Sequence, residues 1–249
     1  MKSAFTNAIT RALLAAAALL MTGLPAHASL VLRPPGLHAG DQFRVLFITS
    51  DTHDARSSDI ASYDSFVNGL AVTAGIDSYF GSAVSWQVLG STFGTSAIER
   101  VGLDAPALYG ISGLRIADSG ADLWDGSIDN AIYLDEQGRA QEGVVFTGTG
   151  ADGRAAATPL GGTGGVLLSE AGLANLIVTN NGWVALGAVG GATPRHFYGV
   201  SSLLTVPEDG AEVPEPGTLA LCALAAALRV KIEIRTGESA SVRVGTCCL

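Results

Sequence analysis

The sequence predicts an α+β fold, built as a single domain. One segment has the periodicity of an amphipathic helix, several short apolar runs have the composition of strands, and long stretches rich in Gly, Ser and Asp connect them. A regular alternation of strands and helices, which would indicate a parallel α/β sheet, is not visible. About 180 residues separate two terminal segments of different composition, and this length suits one domain with a sizeable core.

The first predicted element is a buried strand over residues 43–48, a run rich in aromatic and β-branched residues. Residues 49–56 are polar and turn-like, so the strand is expected to end there. Ser57 or Ser58 is then well placed as the N-cap of a helix, with Asp59 in its first turn.

A single long helix is predicted next. Apolar residues recur at spacings of three and four, which places them on one helical face: Ile60, Tyr63, Val67, Leu70 and Ala74. Gly75 follows at once, and glycine is the usual residue just after a helix C-terminus. The pattern therefore predicts a helix that ends at Gly75.

The rest of the domain is predicted as short strands and loops. Strands are expected at residues 86–89, in a hairpin of 107–109 and 114–116, and at 144–146, 183–186 and 197–206. Residues 148–165 form a Gly-rich loop. Residues 167–178 are ambiguous, with Ser169 as a plausible cap of a short helix.

The N-terminus has the pattern of a secretory signal peptide. Lys2 and Arg11 precede a short apolar run over residues 12–21, and Ala26, Ala28 and Ser29 supply a small-residue cleavage site. The apolar run is about half the ~20 residues that a membrane-spanning helix needs. Signal peptidase is therefore expected to cut after Ala28, and the chain is expected to be exported.

A second sorting pattern lies near the C-terminus. The run Val213, Pro214, Glu215 and Pro216 precedes an apolar stretch at residues 219–228 and then basic residues. It resembles the PEP-CTERM signal of exosortase-sorted proteins. That resemblance implies an exosortase-type processing enzyme, transient insertion in the inner membrane, and a final place in the cell envelope or outside a Gram-negative bacterium. The bland alternative is a rigid proline linker.

These patterns divide the chain into six segments. The predicted segments are a signal peptide (1–28), a linker (29–40), an ectodomain (41–207), a second linker (208–212), the PEP-CTERM signal with its short apolar segment (213–230) and an atypical polar tail (231–249). The apolar segment is only about ten residues long, shorter than a full span, so this anchor departs from the family pattern.

Composition restricts the partners of the exported domain. The formal net charge is −9 and becomes −11 when residues 1–28 are removed. Nucleic acids and anionic lipid surfaces bind basic patches, so neither is an expected partner. All three cysteines follow Val213, and the ectodomain is therefore expected to fold without disulfides or thiolate metal sites.

The order of motifs in the ectodomain resembles the C-type-lectin-like superfamily, in its bacterial and endostatin-type branch. The motifs are residues 47–50, the amphipathic helix, 86–89, 121–126, 146–149 with 152–153, Trp183 and 197–201. The resemblance implies a lectin-like ectodomain with one main helix, short antiparallel strands and long loops. Members usually carry disulfides, so packing of four aromatic residues would have to replace them here: Trp86, Trp124, Trp183 and Phe197.

The densest group of carboxylates is the candidate ligand site. Asp122, Asp125 and Asp129 lie close together in sequence, and Asp152 lies in the Gly-rich loop. Clustered oxygen ligands suit Ca²⁺, but turn aspartates that accept hydrogen bonds from their own backbone explain the group equally well. With Trp124 as a stacking surface, residues 122, 125 and 152 are the possible ligand residues. No metal or cofactor is expected.

Catalytic patterns are weak. Residues 148–153 fit G-x-G-x-x-G, but Pro159 leaves no room for the helix that a dinucleotide site requires. His53 and Asp54 lie near Ser57 and Ser58, without a nucleophile elbow or an oxyanion-hole signature. The sequence therefore predicts a non-enzymatic surface or extracellular-matrix protein. The alternatives are a module that binds extracellular polysaccharide and a secreted hydrolase.

Overall fold

The computed structural model describes residues 32–163, 165–171 and 179–208. The chain divides into two units, Met1–Val213 and Pro214–Leu249, and all described residues belong to the first. The predicted signal peptide, sorting signal and tail lie outside the described residues. The described part is an α+β domain with one main helix, as predicted.

The elements are mostly short. The strands are β1 (Gln42–Ile48), β2 (Ser78–Tyr79), β3 (Ser82–Ala83), β4 (Trp86–Val88), β5 (Leu108–Gly110), β6 (Arg115–Ala117), β7 (Gly143–Phe146), β8 (Val166–Ala171), β9 (Gly187–Val189), β10 (Tyr198–Ser201) and β11 (Leu204–Thr205). The helices are α1 (Ile60–Ala74), α2 (Ala97–Val101) and α3 (Gly120–Leu123), with a 3₁₀ turn at Asn181–Trp183. The predicted strands at 43–48, 86–89 and 144–146, and the hairpin of β5 and β6, are confirmed.

β1 is the central strand of the main sheet, whose order is β4-β10-β1-β5-β6, with β11 paired to the start of β1. Leu46 pairs with Val200 of antiparallel β10 and with Gly110 of parallel β5. A smaller sheet has the order β7-β8-β9. The domain is therefore organised around one strand with neighbours on both sides.

Both faces of β1 are buried. Val45 and Phe47 pack with Tyr63 of α1 in one apolar cluster, whereas Leu46 and Ile48 belong to a second cluster on the opposite face. A strand that is covered on both faces has apolar residues at nearly every covered position. This explains why Val45–Ile48 are all apolar and buried, whereas Arg44, nearer the start of β1, is only half-buried.

Helix α1 has the predicted bounds, but its N-cap is Asp59 rather than Ser57 or Ser58. The Asp59 carboxylate accepts a hydrogen bond from the Ala61 amide at 3.0 Å. Ser57 lies two residues before this cap, and its hydroxyl accepts a hydrogen bond from the Asp59 amide at 3.1 Å. At the other end, Gly75 adopts φ 77° and closes the helix in the left-handed conformation, as predicted.

Side chains of α1 cover the edge of the main sheet. The Asp64 carboxylate accepts a hydrogen bond from the Val88 amide at 2.8 Å, and the Asn68 side chain accepts from the Trp86 amide at 3.0 Å. Both amides belong to β4, the edge strand. Because these two amides already donate to side chains of α1, this edge is not open for pairing with another strand.

The structure corrects one predicted strand and resolves one ambiguous segment near the smaller sheet. Residues 183–186 do not form a strand: the Asn180 side chain accepts from the Gly182 amide at 3.0 Å and starts a 3₁₀ turn, which buries Trp183. Ser169 does not cap a helix, because it lies inside β8, which pairs with β7 and β9. The remainder of that ambiguous segment, residues 172–178, lies outside the described residues.

The two ends of the domain are joined by hydrogen bonds. The Gly40 amide donates to the Val206 carbonyl at 2.9 Å, and the Val206 amide donates to the Asp41 carbonyl at 2.8 Å. These bonds place the segment just before β1 beside the segment just after β11. Within the described ranges, no helix is both long enough and apolar enough to span a membrane.

Candidate functional site

The aspartates of the predicted ligand site hold their own loops together. The Asp122 carboxylate accepts from the Asp118 amide at 2.7 Å, next to the start of α3. The Asp125 carboxylate accepts from both the amide and the hydroxyl of Ser127, at 3.0 and 3.2 Å. Both contacts are the local turn bonds that short acidic side chains make in loops.

Asp129 and Asp152 pair with arginines. The Asp129 carboxylate lies 2.8 Å from Nε of Arg115, and Oδ2 of Asp152 lies 3.8 Å from Nε of Arg154. Over residues 32–163, 165–171 and 179–208, no three His, Cys, Asp or Glu side chains are placed to hold a metal ion together. The aspartates therefore act in turns and ion pairs.

Trp124 lies in the core rather than on the surface. Only 7% of its surface is exposed, and its ring stacks on Trp183 with 5.6 Å between the centroids. Gly153 covers it, since a methyl group there would lie 2.6 Å from the indole Cδ2 atom. The structure thus brings Trp124 and the loop of Asp152 together, as the candidate site requires, but it leaves no indole face open to a sugar ring.

A polar group that the sequence reading missed lies at the end of β1. Glu136 is only 2% exposed. Its carboxylate accepts from the Ser50 amide at 2.9 Å and from the Ser50 hydroxyl in a short hydrogen bond. Close by, Nδ1 of His196 lies 2.6 Å from the Thr49 carbonyl oxygen. These contacts fasten the end of the central strand to two loops.

This group does not have the geometry of a catalytic triad. A triad histidine accepts the serine proton and is itself oriented by a carboxylate. Here Ser50 donates to Glu136 directly, and His196 is held by a backbone carbonyl. Nδ1 of His53 likewise lies 2.7 Å from the carbonyl oxygen of Asp54. These polar side chains make structural contacts.

Asp135, next to Glu136, organises the adjoining turn. Its carboxylate is buried and accepts from the Gln137 and Arg139 amides, both at 2.9 Å, and from the Gln141 side chain at 2.8 Å. Burial alone would raise the pKa of Asp135, but these hydrogen bonds together hold that pKa below its usual value. The ionised form is therefore the one that the fold stabilises.

Asp135→Asn is expected to lower the free energy of unfolding by about 1–3 kcal/mol at neutral pH, because the amide cannot accept all of these bonds. The folded pKa lies below the unfolded value of about 3.9, so the contribution is present above that pH and disappears as pH falls through the folded pKa. Urea unfolding from pH 7 to pH 3 measures it. Exposed Asp152→Asn is the control, and a difference that stayed constant with pH would contradict the assignment.

Comparison with known proteins adds no family. A scan against protein-family models finds no match to this chain. A search of the curated proteins finds no similar sequence.

The sequence contained one signal for this region. Thr49 and Ser50 directly follow the apolar run Val45–Ile48, and polar residues at the end of a central strand often meet the loops packed around it. The partner Glu136 is 86 positions away from Ser50, and no local pattern links the two.

A capping signature elsewhere in the chain, Ser96 with Glu99, could have predicted α2. The Glu99 carboxylate accepts a hydrogen bond from the Ser96 amide at 3.2 Å.

Proposed function

We propose that this chain is an exported bacterial protein that an exosortase-type system sorts to the cell envelope or the extracellular matrix. Its ectodomain, of C-type-lectin-like type, acts by binding or structure rather than by catalysis. The observation that carries the proposal is the arrangement of the sequence. A signal-peptide pattern ending at Ala28 and a Pro-Glu-Pro motif at 214–216 flank one folded domain.

The domain can fold on either side of the inner membrane. Its described residues contain no cysteine, so folding is independent of the redox state of the compartment. Aromatic pairs occupy the core in place of disulfides. Phe47 contacts Trp86 with 4.9 Å between ring centroids, and Trp124 stacks on Trp183. Such pairs contribute about 0.5–1.5 kcal/mol each beyond the apolar area that they bury.

Export can be tested by the mass of the mature protein. The full chain with an internal tag, expressed in a Gram-negative host that has an exosortase, is expected to appear outside the cytoplasm with Ser29 as its first residue. Changing Ala28 to Asp should block this cleavage, because signal peptidase requires small residues there. A tagged protein that stayed in the cytoplasm with residues 1–28 intact would overturn the proposal.

The sorting motif needs a separate comparison. Replacing Pro214 and Glu215 with alanine is expected to leave export intact while the chain accumulates in the membrane fraction. Pro35→Ala is the control, since Pro35 is an exposed proline of the predicted N-terminal linker. If the wild type and the Pro214/Glu215 double variant were processed equally in a host with an exosortase, the motif would be a simple linker and not a sorting signal.

A further inference from the structure

A cleft opens at the edge of the domain where the chain leaves it. Its volume is about 450 Å³, within the range of about 300–1,000 Å³ that small-molecule sites occupy. The turn of the β2–β3 hairpin forms one wall with Tyr79, Phe80 and Ser82. Thr205 of β11 and Glu208 form part of the opposite wall. None of the residues assigned above to the acidic loops or to the end of β1 lines it.

Phe80 is held in an unfavourable backbone conformation on this wall. Its φ is 46°, the only positive φ of a non-glycine residue in the described part of the chain. With Gly81 at φ 81°, it forms the two-residue loop of the β2–β3 hairpin. Asn-Gly is the favoured sequence for a loop with positive φ at both positions. A bulky aromatic side chain costs stability there, and strain of this kind is concentrated at ligand sites.

Tyr79, the neighbour of Phe80, provides a second and independent observation. It is 3% exposed, and its hydroxyl is buried without a hydrogen-bond partner among the described residues. An unsatisfied buried hydroxyl costs about 1–3 kcal/mol. Its ring is fixed edge-on between Phe43 and Phe80, with centroid distances of 5.7 and 4.9 Å. Burial raises the pKa of Tyr79, and its ring forms a fixed part of the cleft wall.

The chemistry of the lining fits a neutral polyhydroxylated ligand. Phe80 offers a partly exposed ring for stacking against the C–H face of a sugar, and the hydroxyls of Ser82 and Thr205 can donate and accept. Among the residues that line the cleft, Glu208 is the only charged one. Its carboxylate can accept hydrogen bonds from sugar hydroxyls and would repel anionic ligands such as uronates.

We propose that this cleft binds a neutral saccharide unit, with Phe80 as the stacking surface. The site is distinct from the candidate at Trp124, whose ring is buried. The inference adds a ligand to the proposed surface protein and does not depend on its export. Failure of binding would therefore leave the sorting proposal intact, and failure of sorting would leave the cleft intact.

Binding can be measured by calorimetry on the purified full-length protein. The probes are neutral tetrasaccharides of glucose, xylose, mannose and galactose in α and β linkages, with tetragalacturonate as the anionic comparison. At least one neutral probe is expected to bind and the uronate is not. Flat titrations with every neutral probe, or binding of the uronate alone, would overturn the proposal.

Phe80→Asn separates a ligand-binding role from a packing role. Asparagine tolerates positive φ, and the relief of strain offsets the lost contact with Tyr79, so the variant is expected to change the Tm little while it weakens saccharide binding by about tenfold or more. Phe93→Asn, at a separate turn where the ring is 71% exposed, is the control and should leave binding unchanged. Unchanged affinity in Phe80→Asn would overturn the assignment. So would a fall in Tm of more than about 4 °C, which corresponds to roughly 1 kcal/mol of lost packing in a domain of this size.

Discussion

Replacing Gly148 with alanine is expected to lower the free energy of unfolding by about 3–5 kcal/mol, a large part of the stability of a typical domain. A methyl group there would lie 2.4 Å from the Leu160 amide nitrogen and 2.5 Å from the Ser91 carbonyl oxygen. These two atoms are themselves joined by a hydrogen bond of 2.8 Å. The methyl group would separate them, and alanine would also be strained at φ 61°.

Gly69→Ala is the matched control for this experiment. Gly69 lies within α1, and nothing lies within 4 Å of the position that its methyl group would take. Alanine should stabilise the helix there by up to about 1 kcal/mol, because it has the higher helix propensity. Denaturant unfolding of both variants measures the contrast. Equal stability of Gly148→Ala and the wild type would show that this loop does not pack as described.

Asp64→Ala is expected to destabilise the domain by about 2–4 kcal/mol through two lost contacts. One carboxylate oxygen of Asp64 accepts from the Val88 amide at 2.8 Å and from the Arg100 guanidinium at 2.6 Å. The Arg100 side chain is only 11% exposed. Alanine would leave this cation without its carboxylate and would uncover the edge of β4, so aggregation during refolding is expected to increase as well.

Two further variants separate the charge of Asp64 from its acceptor role. Asp64→Asn keeps an oxygen for the Val88 amide and should recover about half of the lost stability. Asn68→Ala removes only the neighbouring acceptor for the Trp86 amide, with an expected cost of about 1 kcal/mol. If Asp64→Ala and Asn68→Ala were equally stable, the contact with Arg100 would contribute nothing. Urea unfolding together with light scattering during refolding provides both readouts.

Local sequence patterns were sufficient to predict an element whose apolar residues all lie on one face. The spacing of apolar residues from Ile60 to Ala74 determined α1, and Gly75 marked its end. The cap was ambiguous because Ser57, Ser58 and Asp59 are all competent residues. The choice depends on which side chain reaches the Ala61 amide, and composition does not contain that geometry.

The sequence prediction failed where tertiary contacts, rather than the local apolar run, determine the backbone conformation. Residues 183–186 have the composition of a strand, yet Asn180 turns the backbone and Trp183 is buried against Trp124 and Tyr198. The parallel pairing of β1 with β5 is equally invisible in sequence. It joins residues more than sixty positions apart, and loop lengths alone do not determine such a pairing.

The candidate sites show the same division. The aspartates and Trp124 could be identified from the sequence, because clustered carboxylates and tryptophans stand out in the order of residues. Burial of the indole ring could not be predicted, because it depends on Gly153 from another loop. The cleft was missed altogether. Its walls come from two distant segments, and the strain at Phe80 is a property of backbone angles, which residue type does not reveal.

The hydrogen bonds that join Gly40 and Asp41 to Val206 make the domain a closed unit with adjacent ends. A short linker could connect those ends without deforming the fold, and new ends could be opened at the turn around Phe93, which is exposed to solvent. The same adjacency allows the whole domain to be inserted into a surface loop of a carrier protein, because the host chain would be interrupted at one point rather than stretched across the domain.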